Sequence, residues 1–166
     1  QKLVSIGVKP INNIVDITNF VLFETGSPLH AFDYDQISGK QIIVRNAENG
    51  EEFETLDSNL IKLSNSDLVI CDVDKPLCLA GVMGGKKSGV SFNTKNLFLE
   101  SAFFNPASIR KTSKKHSIST DSSYRFERGV DVNNCSNALQ RATLLIKEFR
   151  SCLIISFGGT SLWISG

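Results

Sequence analysis

The sequence predicts an α+β fold in which mostly antiparallel sheets are flanked by a few helices. Two observations carry this prediction. Short apolar or alternating runs, separated by turn residues, follow one another through 41–83, and a further apolar run occupies 96–104. Apolar residues recur at helical spacing in only a few places. Strands therefore outnumber helices, and nothing in the pattern indicates a repeat or a second domain.

The first helix is predicted immediately before one of the two histidines of the chain. Asn12 or Asn13 can cap it, apolar residues within 14–22 recur at helical spacing, and turn residues at 26–28 end it. His30 is therefore expected just beyond the helix, on a turn. An imidazole there is either a packed core residue or part of a site, and the histidine alone does not decide between the two.

Two further helices and a set of strands complete the predicted elements. Asn105 and Pro106 open a helix over 105–115, and apolar residues within 133–149 form the face of an amphipathic helix. The predicted strands are "QIIVRNA", "EEFETL", "LIKL", "DLVICDV", "PLCLAGVM", "NLFLESAFF" and, near the end of the chain, "CLIISF".

Length and composition indicate one globular domain, 1–166, rather than a disordered or membrane protein. The chain has 166 residues, of which 41% are hydrophobic, and a mean hydropathy of -0.03. No apolar run approaches the roughly 18–20 residues that cross a bilayer, and the first residues lack the features of a signal peptide. The four cysteines have no metal-ligand spacing, so we expect free, buried thiols and a reducing cytoplasm.

The net charge of +1 is unevenly distributed. Residues 41–74 carry eight acids against two bases, whereas residues 105–129 carry six bases against two acids. Such a basic strip can hold a polyanion such as a nucleic acid. It is equally consistent with the solvated face of a helix.

Glu100 is the one charged residue in the apolar run "NLFLESAFF". A buried carboxylate without a partner is strongly unfavourable, so it must be paired, protonated or exposed to a pocket. Glu100 therefore forms a structural ion pair, lies on a turn at the strand end, or lies at the bottom of a cavity that receives a hydrogen-bond donor.

Two further stretches are ambiguous when each is taken alone. "AGVMGG", 80–85, has three glycines after a predicted strand, which allows a ligand to approach the backbone or simply makes a tight turn. "STDSSYRFERGVD", 119–131, combines hydroxyls, acids and arginines, and is typical of turn chemistry in a loop.

In combination these stretches resemble a known family. "KPINNIVDITNFVLFETGSPLHAFD", "AGVMGGKKSGV" and "LFLESAFFNPASIRKTSKKHSISTDSSYRFERGVD" are similar, in that order, to the editing module of the β subunit of bacterial phenylalanyl-tRNA synthetases. The likeness covers about 4–149. It implies a fragment of a cytoplasmic synthetase subunit whose partners are tRNA(Phe) and the α subunit, in an α2β2 heterotetramer.

The resemblance implies hydrolysis of tyrosyl-tRNA(Phe) formed in error. An apolar pocket rejects an added hydroxyl by only about 10², so a synthetase for phenylalanine needs a second site. A buried carboxylate in that site is satisfied by tyrosine and left unpaired by phenylalanine. No metal or cofactor is expected in this domain, because ATP and Mg²⁺ serve the full synthetase.

The resemblance also implies roles for eight residues. The expected catalytic residues are His30, Asn19 and Thr120, and the expected substrate-binding residues are Glu100, Thr18, Gly84, Ser122 and Lys9. Glu100 would recognise the tyrosine hydroxyl. His30 and Asn19 would position the water or the ester, and backbone amides near Gly84 would hold the carbonyl or ammonium group.

Two of these positions depart from the family pattern. Lys9 stands where an arginine is usual and lacks its planar fork, and Ser122 stands where an alanine is usual and adds a hydroxyl to the pocket. A second hypothesis therefore stays open, a non-catalytic scaffold that docks tRNA and neighbouring domains around a vestigial pocket. A free-standing hydrolase of other aminoacyl-tRNAs is a third, which the matches throughout "TDSSYRFERG" and "NPASIRK" disfavour.

Overall fold

The structure, a computed structural model, describes residues 2–149 and the short strand 154–155. Its helices are α1 (Lys2–Ser5), α2 (Asn13–Thr25), α3 (Pro106–His116), α4 (Asp121–Phe126) and α5 (Asn134–Phe149). Its strands are β1 (Leu29–Asp33), β2 (Ile43–Asn46), β3 (Glu52–Glu54), β4 (Leu60–Lys62), β5 (Leu68–Cys71), β6 (Pro76–Leu79), β7 (Met83–Gly84), β8 (Leu97–Ser101) and β9 (Ile154–Ile155). No described helix is long and apolar enough to cross a membrane.

The described strands form three sheets. β1, β8 and β9 lie side by side in that order, β2, β5, β6 and β7 form the second sheet, and β3 pairs with β4 in a hairpin. All pairs are antiparallel except β8 with β9, which is parallel. The predicted α+β class, with mostly antiparallel sheets and a few helices, is confirmed.

Alternate residues of β1 and β8 face two different apolar cores, as expected for strands buried on both sides. Ala31 and its register partner Leu99 pack with the apolar faces of α2 and α5. Phe32 and its partner Phe98 lie on the opposite side, with the core that β5, β6, α3 and α4 share. The β1–β8 pair is thus sandwiched between helices on one side and the second sheet on the other.

The predicted caps of α2 and α3 are confirmed. The Asn12 side chain accepts hydrogen bonds from the first backbone amides of α2, and Gly26 ends that helix with φ of 76°. Asn105 caps α3 in the same manner, with Pro106 in the first turn.

Two local predictions are wrong. His30 does not lie on a turn but within β1, because pairing with β8 extends the chain directly after Pro28. The stretch 119–131 is not only loop, since it contains the helix α4. Two of the hydroxyls that suggested turn chemistry there, those of Thr120 and Ser123, form the helix cap instead.

The cysteines and the last strand are described in part. Cys71 and Cys78 are buried free thiols, and Cys135 is a half-buried one. Of the predicted strand "CLIISF", only β9 is described. Cys152 and the rest of that stretch lie outside the described residues.

Candidate functional site

His30 and Glu100 are register partners on the antiparallel strands β1 and β8. Directly opposed residues of such a pair point to the same side of the sheet, with Cβ atoms roughly 5 Å apart. Both side chains line one cavity of about 50 Å³, which opens to solvent. His30 Nε2 and Glu100 Oε2 are buried and have no hydrogen-bond partner among the described residues. The cavity therefore holds two polar atoms that a ligand could satisfy.

Five elements and two turns supply the wall of this cavity. The complete lining comprises Pro28, Leu29, His30, Cys78, Gly81, Val82, Met83, Gly84, Glu100, Ser122 and Phe126. Four of the eight predicted site residues, His30, Gly84, Glu100 and Ser122, are thus together in one place. Except for the carboxyl, imidazole, thiol and hydroxyl groups, these lining side chains are apolar or absent.

Gly84 is required by the position of the imidazole. A Cβ atom at this position would lie 2.7 Å from His30 Cε1, a distance that real Cβ atoms essentially never show, and a tight 3.2 Å from Nε2. The glycine therefore lets the ring of His30 pack directly on the backbone of β7. The ring of Phe32 also contacts the imidazole in a T-shaped arrangement, with centroids 4.4 Å apart and an interplanar angle of 79°. These two contacts fix the orientation of the imidazole.

Helix α4 forms one wall of the cavity, and Thr120 holds the start of this helix in place. The Thr120 hydroxyl donates to the Val82 carbonyl at 2.9 Å and accepts from the Ser123 amide at 3.1 Å, in a capping box. This ties the start of α4 to the turn between β6 and β7. Ser122 and Phe126, one helical turn apart, consequently face the cavity. Thr120 itself is not among the lining residues.

Burial controls the charge of the site. It raises the pKa of Glu100 to about 7 and lowers the pKa of His30 to about 4, because both groups lose solvation in their charged forms. Burial, together with the nearby Glu100, also raises the pKa of the Cys78 thiol well above its ordinary value. No lysine or arginine is among the lining residues. At neutral pH the cavity therefore holds a neutral imidazole, a thiol and a carboxyl group close to its midpoint.

The other predicted residues lie outside this lining. Thr18 is buried in α2, where its hydroxyl donates to the Val15 carbonyl at 2.9 Å. Asn19, on the same helix, is half-buried, and Lys9 is exposed before it. Helix α2, which carries Thr18 and Asn19, packs on β1, the strand that carries His30. Their roles stay predictions.

Sequence reasoning missed Cys78 and Phe126 as lining residues. Cys78 is the register partner of Gly84 across β6 and β7, which brings its thiol beside Glu100. Its Sγ lies 3.4 Å from the Met83 carbonyl oxygen. The alternation of "PLCLAGVM" could have placed Cys78 on the same strand face as Ala80, but the pairing with Gly84 is not visible in the sequence.

The family of this chain follows from a comparison with known protein families. A family model described as the B3/4 domain matches residues 1–151. The chain belongs to the B3/4 domain family. Within the described residues, this B3/4 domain has no group of three or more histidine, cysteine, aspartate or glutamate side chains placed to hold a metal ion.

Relatives of this B3/4 domain bear the name phenylalanine–tRNA ligase β subunit. That of Protochlamydia amoebophila is 55% identical over 146 residues, which are 88% of this chain and 18% of the relative. That of Bdellovibrio bacteriovorus is 56% identical over 147 residues, 89% of this chain and 18% of the relative. That of Desulfotalea psychrophila is 50% identical over 157 residues, 94% and 19% respectively. The chain spans about a fifth of the length of these relatives, each part of an aminoacyl-tRNA synthetase.

Proposed function

We propose that this B3/4 domain is an editing domain that hydrolyses tyrosyl-tRNA(Phe) within the β subunit of a cytoplasmic phenylalanyl-tRNA synthetase. In the whole enzyme, the α subunit of an α2β2 heterotetramer would attach phenylalanine to tRNA(Phe) with ATP and Mg²⁺. The single observation that carries the proposal is Glu100, whose Oε2 is buried without a partner in an otherwise largely apolar cavity.

Glu100 supplies selectivity for a hydroxylated ring. A phenol hydroxyl that enters the cavity donates to the carboxyl group and satisfies it. A phenyl ring of the same shape leaves it unpaired, a difference of about 1–3 kcal/mol. This is the opposite preference to that of a pocket built for phenylalanine, which is what a second sieve requires.

His30 and the backbone near Gly84 act on the ester. The imidazole is neutral at physiological pH because burial lowers its pKa to about 4. A neutral imidazole can accept a hydrogen bond from the attacking water or donate one to the ester, depending on its tautomer. Because an aminoacyl ester is already reactive, positioning one water and polarising the carbonyl are sufficient chemistry.

The remaining predicted residues act at a greater distance. Thr120 contributes through the position of α4, since its hydroxyl is already bonded to the Val82 carbonyl. Ser122 adds a hydroxyl at the wall of the cavity. Thr18 and Asn19 lie on α2, which packs on β1 and so helps to position the strand that carries His30. Lys9 is exposed, and its positive charge suits an RNA phosphate.

The direct test is an NMR titration of this chain with L-tyrosine and L-phenylalanine. We expect tyrosine to shift resonances of β1, β7 and β8 more strongly than phenylalanine does, and Glu100→Gln to reduce the difference. A hydrolysis assay with tyrosyl-tRNA(Phe) follows, in which His30→Ala should lower the rate and His116→Gln, which can still hydrogen-bond to Asp67, should not. Equal binding of both amino acids would overturn the proposal.

The scaffold hypothesis is favoured by the small size of the cavity. At about 50 Å³ it has room for only a few water molecules. A vestigial pocket of this size would bind neither amino acid while tRNA binding persisted. The same NMR titration, repeated with tRNA(Phe), separates the two functions.

A further inference from the structure

Among the residues that the structure describes, none that lines the cavity could neutralise the charge of Glu100. β1 contributes His30 to the cavity and β6 contributes Cys78, and these are the only other titratable side chains of its lining. β7 contributes Met83 and Gly84, and α4 contributes Ser122 and Phe126, none of which is charged. Glu100 Oε2 receives no hydrogen bond from any described residue.

A buried carboxyl without a donor or cation keeps its proton to a higher pH than usual. Burial accordingly raises the pKa of Glu100 to about 7. His30, with a pKa of about 4, and Cys78, with a pKa well above its ordinary value, do not change charge between pH 6 and pH 8. Glu100 is therefore the group of this cavity that titrates across physiological pH.

We propose that the preference of this cavity for tyrosine over phenylalanine depends on whether the Glu100 carboxyl group is protonated or ionised. This inference rests on the proposed editing function. In the empty cavity at pH 6, Glu100 mainly carries its proton. A phenol that donates its hydroxyl hydrogen to the carboxylate favours the ionised form, and the proton of Glu100 is released to solvent through the open mouth of the cavity. A phenyl ring offers no donor, so its binding favours the protonated form.

The linkage has opposite signs for the two amino acids. Raising the pH from 6 to 8 increases the ionised fraction of Glu100 in the empty cavity about tenfold, and lowers the protonated fraction by the same factor. The affinity for L-tyrosine should then rise up to about tenfold over this range, while that for L-phenylalanine should fall up to about tenfold. Selectivity for tyrosine thus increases with pH.

The experiment measures both dissociation constants at pH 6, 7 and 8 by NMR titration of this chain. A parallel ¹³C NMR experiment follows the Glu100 carboxyl carbon against pH without ligand. Glu100→Gln should make both affinities independent of pH. Glu52→Gln is the matched control, because Glu52 is a strand glutamate with an exposed side chain, and it should leave the pH dependence intact.

Each outcome decides the matter. Opposite pH trends that Glu100→Gln abolishes support the linkage. A carboxyl carbon that titrates near pH 4.5 overturns it even if the Gln variant fails to fold. A tyrosine preference that is the same at pH 6 and pH 8 overturns the linkage and leaves the editing function standing. The absence of any tyrosine preference at every pH overturns both.

Discussion

Each of the two histidines of this chain stands beside a buried carboxyl group, but in opposite ways. His116, at the end of α3, places Nε2 3.0 Å from Oδ2 of Asp67, a residue with no exposed surface. His30 faces Glu100 across β1 and β8, yet Nε2 of one and Oε2 of the other have no partner among the described residues. The same two chemical types thus form a closed cluster in one region and an open site in another.

Asp67 is satisfied on every side. Besides the His116 contact, it accepts from the Ser64 amide at 2.9 Å, from the Thr112 hydroxyl at 3.1 Å and from the Lys115 ammonium at 2.6 Å. These bonds join α3 to the turn between β4 and β5. The cluster is therefore a structural connection, because the Asp67 carboxylate is already fully hydrogen-bonded within the fold.

The pKa values show what the partners do. Burial alone would raise the pKa of Asp67, but hydrogen bonds from Lys115, His116 and Ser64 outweigh it and lower the pKa to about 2. Burial also raises the pKa of Glu100. Because no hydrogen-bond donor among the described residues opposes this effect at Oε2, the pKa rises to about 7. The two acids are both buried, so the hydrogen-bond donors around Asp67 and their absence at Glu100 Oε2 account for the difference between a structural acid and one that is free to bind a ligand.

The largest effect is expected from removing the partnered acid. Asp67→Ala leaves the Thr112 hydroxyl, the His116 imidazole and the Ser64 amide without their acceptor. Each buried polar group that loses its partner costs about 1–3 kcal/mol, so the free energy of unfolding should fall by about 3–5 kcal/mol. Urea denaturation measures this, with Asp74→Ala as an exposed aspartate control. A loss below about 1 kcal/mol would contradict the comparison.

The unpartnered acid should behave in the opposite way. The folded-state pKa of Glu100 lies above its ordinary 4.5, so its ionisation destabilises the fold as pH rises from 4.5 through about 7. Relative to the parent chain, Glu100→Gln should gain up to about 3 kcal/mol at pH 8 over its value at pH 4. Denaturation curves across this range measure the gain, and a constant difference would argue against an unpartnered Glu100.

The pKa of His30 is shifted in the opposite direction to that of Glu100, so its effect on stability has the opposite pH dependence. The folded-state pKa of His30 is about 4, below the ordinary 6.5. Below pH 6.5 the unfolded chain therefore binds a proton that the folded chain does not, and the stability of the fold decreases as the pH falls from 6.5 toward 4. The slopes of His30 and Glu100 nearly cancel between pH 4.5 and 6.5. Replacing His30 by Gln should therefore unmask a fall in stability with rising pH, of up to about 1.4 kcal/mol per pH unit. An unchanged profile would be the contrary result.

Gly84→Ala should disturb the open site alone. The new Cβ would lie 2.7 Å from His30 Cε1. We therefore expect the free energy of unfolding to fall by about 1–3 kcal/mol and tyrosine binding to weaken. Gly89→Ala is the matched control, because its nearest heavy atom would be Leu56 Cδ1 at an ordinary 3.7 Å. Thermal denaturation and the NMR titration measure the two effects, and equal behaviour of the two variants would contradict the packing argument.

The smallest effect concerns Thr120. Thr120→Ala removes the cap of α4 and the bond to the Val82 carbonyl, and should lower stability by about 1 kcal/mol. Thr120→Ser keeps the hydroxyl and should retain both stability and hydrolysis of tyrosyl-tRNA(Phe). If Thr120→Ser abolished hydrolysis without loss of stability, the threonine methyl group would have a role that its cap does not explain.

Local signals allowed much of the fold to be predicted. Asn12, Gly26 and Asn105 mark helix ends through interactions within a few residues, and such signals are present in the sequence itself. Glu100 was recognisable as a buried acid because its neighbours are apolar. The strand at His30 was missed because its pairing partner, β8, lies about 70 residues further along the chain.

The sequence by itself determined the helix caps, the α+β class, the amphipathic face of α5 and the candidates His30 and Glu100. Only the tertiary structure decided that these two are register partners, that Gly84 makes room for the imidazole, and that Asp67 receives donors from α3. The physical reason is range. Caps and periodicity act between near neighbours, whereas a strand register and a buried hydrogen bond depend on packing between segments that are far apart in the chain.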